Sequence, residues 1–269
     1  MKTRLGRLSL LMALLLSATP TFSQDRLGGL TPLQLVIEKQ RVRLSSADVE
    51  ERRDAVTRLG AMRHPAASRA VLSGLQDAES IVRATSITAV LSLPPEESAA
   101  SLLPLLNDKD VLVRREAAYA LGKTKSHTAV PLLIDLLRFD KIDEVRGAAA
   151  VALGAIGNEA AVIPLLAVLT GQVGQIKKQK AKPEQNPFVL RSAARALGQI
   201  GSRASVPALI AALANEQSED DVRREAAIAL GRIGDQAALP ALRNAMTARD
   251  PHLALAADGA IKSILRTSR

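Results

Sequence analysis

The 269-residue sequence predicts an all-α chain, a right-handed α-solenoid (a superhelix) of about six helix pairs with capping helices at its ends. Three observations lead there. A pattern of Val-Arg, small residues and Leu-Gly recurs, its Leu slot falling at Leu59, Val90, Leu121, Leu153, Leu197 and Leu230, with Ile261 in a partial last copy. The steps between those slots are 31, 31, 32, 44, 33 and 31 residues, the self-similarity of a stacked repeat. Hydrophobic residues make up 47% of the chain but aromatic ones only 1%, so the core is built from Leu, Ala, Val and Ile, which suits closely packed helices.

Residues 1–23 have the parts of a cleavable secretory signal. Lys2, Arg4 and Arg7 precede an apolar run from Leu8 to Leu16, and Pro20, Thr21 and Ser23 lead to a cut before Gln24. That run is shorter than the roughly 20 residues a bilayer-spanning helix needs. The expectation is a periplasmic or secreted protein with no integral membrane segment after cleavage. Residues 24–46 read as a linker and capping helix, with Thr31 as cap, Pro32 at the first position, and Leu33, Val36, Ile37 and Val42 mostly inward.

Residues 47–269 form the repeat domain. In each first helix the apolar residues share one face, as Val113, Ala117, Ala120 and Leu121 do at i, i+4, i+7 and i+8. Asp48, Glu79, Asp110 and Glu219 are placed to cap these helices. Gly60, Gly122, Gly154, Gly198 and Gly231 are placed to end them in the left-handed conformation. A second helix follows, with Pro131, Pro207 or Pro240 near its start, where a missing N–H costs least. The second copy departs from the pattern at Leu91, Pro94, Pro95 and Pro104, the first at Glu51 and the fifth at Leu190; Leu253 to Leu265 reads as a single closing helix.

These residues resemble the HEAT-repeat family, and more narrowly its short-repeat branch first noted in phycobilin lyases. The Asp before the helix, Val-Arg, Ala-x-Ala-Leu-Gly-x-Ile-Gly and Ala-Val-Pro-x-Leu carry the resemblance over roughly residues 47–266. It implies that Arg52, Arg83, Arg114, Arg146 and Arg223 are structural, bridging repeats through Asp77, Asp108, Asp110, Asp140 or Asp143. A related branch, the HEAT-repeat hydroxylases, binds two irons through His-Glu pairs. Here His64 precedes Pro65, His127 precedes Thr128 and His252 precedes Leu253, so that chemistry is not expected.

The chain has no cysteine, which removes disulfides, thiolate metal sites and cysteine nucleophiles. Neither a Gly-x-Ser-x-Gly elbow nor a phosphate-binding glycine loop occurs. Glu96-Glu97 and Asp220-Asp221 are sequence neighbours that point apart on a helix, and read as solvated capping charges. The formal charge is +9, or 9 − 3 = +6 without Lys2, Arg4 and Arg7; with so few aromatics for base stacking, nucleic acid is not the expected partner. The 44-residue step marks an insertion at 171–187 carrying Lys177, Lys178, Lys180 and Lys182, a candidate binding loop for an acidic protein, a glycan or a headgroup layer. Together these points predict a non-catalytic, exported scaffold without cofactor or metal, gripping a partner protein or peptide on a surface lined by second helices. The alternative is a lyase-like enzyme or chaperone acting on a tetrapyrrole or chromoprotein, and the third is an anionic ligand or nucleic acid on the basic surface.

Overall fold

The computed structural model describes residues 29–171 and 186–267; the segment 1–23 and Lys177, Lys178, Lys180 and Lys182 lie outside the described residues. These hold no strand, and their α-helices come in pairs joined by short turns. A capping helix α1 (Pro32–Arg43) precedes the pairs α2 (Val49–Ala61) with α3 (Pro65–Val71), and α4 (Ser80–Ala89) with α5 (Pro95–Leu102). Next come α6 (Val111–Thr124) with α7 (Val130–Phe139), and α8 (Asp143–Ile156) with α9 (Val162–Leu169). After the insertion follow α10 (Pro187–Ile200) with α11 (Val206–Ala214), α12 (Asp220–Ile233) with α13 (Leu239–Ala245), and the closing α14 (Pro251–Thr267). The first helices pack side by side in one layer, α6 on α8, α8 on α10, α10 on α12 and α12 on α14, while α7, α9, α11 and α13 form the second layer. This is an α-solenoid.

Local chemistry sets the helix starts. Thr31 and Gln34 form a reciprocal capping box on α1. Asp48 accepts from the Glu50 N–H, and Asp110 from those of Leu112 and Val113. Glu79 and Glu219 form no side-chain cap, contrary to the sequence reading; the extra methylene carries a Glu carboxylate past the N–H groups that Asp reaches. A second correction concerns α1. Of its four apolar residues named above only Ile37 is buried, whereas Leu33, Val36 and Val42 are exposed. Among the described residues α1 packs on α2 and α3 alone, so its apolar residues are not all covered.

The glycines of the Leu-Gly pairs do not end the helices. Each first helix runs on, and the left-handed residue comes four positions after the repeated Leu: Arg63, Lys125, Gly157, Gly201 and Gly234, with φ between 47° and 79°. What the Leu-Gly glycine provides is room. A Cβ on Gly122 would sit 2.8 Å from Ala152 Cα, one on Gly198 2.6 Å from Ala229 Cα, and one on Gly231 2.7 Å from Ala260 Cα. These glycines therefore mark where consecutive first helices touch backbone to backbone, against the Ala of the next repeat. In the second copy Leu91 takes this slot and Pro94 the stop position itself; there α4 gives way to a short 3₁₀ turn, Val90–Ser92.

The core is continuous from Ile37 to Ile264. One flaw stands out in it. The Ser205 hydroxyl is buried without a hydrogen-bond partner among the described residues, at the turn position that Ala129, Ala161 and Ala238 fill elsewhere, all fully buried. Ser205→Ala is expected to stabilise the fold by about 1 kcal/mol, because it removes a desolvated polar group without opening space. The check is the urea midpoint, and an unchanged or lower midpoint contradicts the expectation.

Candidate functional site

The recurring Arg of each first helix and the Asp that closes the second helix of the same repeat build one motif three times. Arg52 donates from Nε and Nη2 to the two carboxylate oxygens of Asp77 at 2.7 and 2.9 Å; Arg83 does the same to Asp108 at 2.7 and 2.8 Å, and Arg114 to Asp140 at 2.7 and 3.2 Å. The remaining Nη1 of each donates to backbone carbonyls at the head of its own repeat: Ser46, Asp77 and Asp108. Each of these aspartates also accepts an N–H from the residue two ahead: Glu79, Asp110 and Ile142. One Arg thus ties the start of its repeat to the start of the next with the planar fork that guanidinium offers.

Burial and pairing act together on these charges. Arg83 and Asp108 are the most enclosed pair, with side chains 7% and 8% exposed. Hydrogen bonding from Arg52 holds the Asp77 carboxyl below its usual range. Burial pushes the Asp108 carboxyl up, but the hydrogen bonds and charge of Arg83 outweigh it and leave the group lowered. Arg52, Arg83 and Arg114 are raised, first through their hydrogen bonds to Asp77, Asp108 and Asp140.

Beyond the third link the motif changes. Arg146 donates to the Asp140 carbonyl and to Asp143 in its own first turn. Arg223 donates to the Leu213 carbonyl behind it and to Asp220 beside it, and among the described residues forms no ion pair with the repeat ahead. Its bond to Leu213 joins its repeat to the one before it, through a carbonyl and not through an acid. Leu190 occupies the Arg slot of α10, and pairing across repeats passes instead to Arg191–Asp221 and Arg195–Glu225. Phe188, at the start of α10, lies against Gly147 of α8, in the space a Cβ would take.

Alongside the third link lies an open cleft of about 530 Å³. Helix α7 supplies one wall with Leu132, Asp135, Leu136 and Phe139; Asp108, Arg114 and Asp140 line it from the ladder. Leu132 and Phe139 are exposed at 38% and 45%, and the Arg138 guanidinium stands 5.2 Å from the Phe139 ring centroid. Sequence reasoning missed this site. Its only trace was a second helix that places large apolar residues, Leu132 and Phe139, outside its buried stripe.

Among the described residues no cluster of His, Asp and Glu could hold a metal ion, and no helix is long and apolar enough to cross a membrane. His64 serves as a cap, its Nδ1 accepting from the Ala66 N–H, and His127 Nδ1 lies 3.3 Å from Asn158 Nδ2.

The model of HEAT repeats matches residues 38–118, 99–182 and 178–262. Two curated relatives named bilin biosynthesis protein PecE, from a Nostoc species and from Mastigocladus laminosus, are each 35% identical over 94 residues. That stretch is 31% of this chain and 37% or 35% of theirs, so the chain spans little more than a third of their length. Among solved structures, the complex of CpcE and CpcF of phycocyanin lyase from Nostoc is similar over 94% of both chains, with 25% identity and a TM-score of 0.51. These matches overturn the expectation of a non-catalytic chain, because the proteins it resembles are named for bilin biosynthesis and for a lyase, which is an enzyme.

Proposed function

This chain belongs to the HEAT-repeat family, and from that premise we propose that it is a lyase-related subunit that handles a tetrapyrrole or a chromoprotein together with a protein partner. The observation that carries the reading is the likeness to the CpcE–CpcF complex, which runs along nearly the whole of both chains. Local identity to the two bilin biosynthesis proteins points the same way. Having no cysteine, the chain offers no thiol for a thioether of its own. Its contribution is to hold and orient the partners, along a surface kept in register by the Arg–Asp links.

Purified chain titrated with biliverdin, followed by visible absorbance and circular dichroism, tests the reading. The expected result is a shifted band with induced ellipticity, either with the chain alone or once a bilin-carrying acceptor protein is added. A folded chain that leaves the spectra of both unchanged sinks it. Export is part of the proposal and rests on Lys2, Arg4, Arg7 and the apolar run that follows them. Intact-mass analysis of protein made in a bacterial host should show a chain beginning at Gln24, and a retained Met1 contradicts export.

A further inference from the structure

We propose that the cleft beside α7 seats a cationic side chain of a partner protein, with Asp135 as counter-charge and Leu132, Leu136 and Phe139 as a shelf for its aliphatic stem. The inference rests on the reading that this chain works against a protein partner, and says which chemistry it recognises. Charge carries it. The chain as a whole is basic, with a formal net charge of +9, yet this cleft is lined by three carboxylates and a single guanidinium. Two of those carboxylates are already committed, Asp108 to Arg83 and Asp140 to Arg114, with both oxygens of each engaged. Asp135 is different: it is exposed and makes no hydrogen bond or ion pair among the described residues.

Its surroundings select the ligand. Leu132 lies one turn before Asp135 on α7 and Phe139 one turn after, so an apolar surface flanks the charge on both sides. Arg and Lys match that layout, with an aliphatic stem to cover the leucines and a charge at the tip. The nearby Arg138 stands over the Phe139 ring and leaves the carboxylate of Asp135 unpaired. Anionic ligands do not fit. The propionates of a tetrapyrrole or the phosphates of a nucleic acid would meet the uncompensated carboxylate of Asp135, because Arg83 and Arg114 balance Asp108 and Asp140 without offering a free donor to the cleft.

The probe is a fluorescein-labelled short peptide of alternating arginine and leucine, with alternating glutamate and leucine as its control, read by anisotropy on the full chain. The arginine peptide should bind and the glutamate peptide should not. Asp135→Lys should weaken binding at least about ten-fold by placing like charges together, and Leu132→Ala by a few-fold through lost stem contact. Asp135 is exposed and unpaired, so circular dichroism should show both proteins equally folded. Equal affinity for the two peptides, or an Asp135→Lys variant that keeps wild-type affinity, overturns the proposal. The biliverdin spectra are a separate readout, so failure of this site and failure of the lyase-related reading are distinguishable.

Discussion

Arg83→Ala is expected to destabilise the chain by about 3–5 kcal/mol, because it leaves the Asp108 carboxylate buried with its charge uncompensated. Both side chains of the pair are less than a tenth exposed, and the variant also strips donors from the carbonyls of Asp77 and Ala78. The matched control is Arg69→Ala. Its bond to Glu97 has the same bidentate form, but the two side chains are 53% and 36% exposed, where solvent screening leaves such a pair worth about 0–1 kcal/mol. Urea unfolding followed at 222 nm measures both, and similar losses for the two variants would show that burial does not set the worth of the ladder.

Acid provides a second handle on the same pair. Asp108 is held below its ordinary 3.8 in the fold, so its contribution is present above that value and is lost as pH falls through the lower, folded one. In Arg83→Ala the carboxyl loses its partner but keeps its burial, which raises it, and protonation then relieves the uncompensated charge. The stability gap between wild type and variant should therefore narrow as pH drops from 7 towards about 3. A gap that stays constant over that range places the loss in packing and not in charge.

How much of this was legible beforehand differs between elements for physical reasons. Burial follows helical periodicity, so Val113, Ala117, Ala120 and Leu121 could be assigned to one face from spacing alone, and all four are buried. The glycines were legible as positions but not as roles. A left-handed stop and a backbone contact both require a missing Cβ, and the sequence does not distinguish them. The role falls out only when Ala229 is seen against Gly198, because that contact lies between repeats. The cleft was less legible still. Periodicity reports which residues are covered, whereas Leu132, Asp135 and Phe139 lie on the uncovered side of α7, and what they face depends on Asp108 and Arg114 of the neighbouring segments.

The glycine contacts yield a prediction whose sign opposes helix propensity. Gly198 lies inside α10, two residues before its last residue Ile200 and three before the cap Gly201, and in an isolated helix Gly→Ala gains about 0.5–1 kcal/mol. In the solenoid a Cβ there would meet Ala229 Cα and Cβ, each at 2.6 Å. No rotamer relieves that contact, because a methyl group has none and the opposing Cα and Cβ of Ala229 are both fixed by the α12 backbone. The helices must separate along the seam, and overpacking of this kind costs about 1–3 kcal/mol, occasionally more. Gly198→Ala is therefore expected to lower the urea midpoint. Gly259→Ala in α14 should raise it, since nothing lies within 4 Å of the added methyl and the backbone there has no positive φ. Adding Ala229→Gly to Gly198→Ala removes the facing Cβ but not the facing Cα, so recovery should be partial. Full recovery would mean that side chains alone set the spacing of the seam, and a gain from Gly198→Ala by itself would mean that the repeats do not touch there through their backbones.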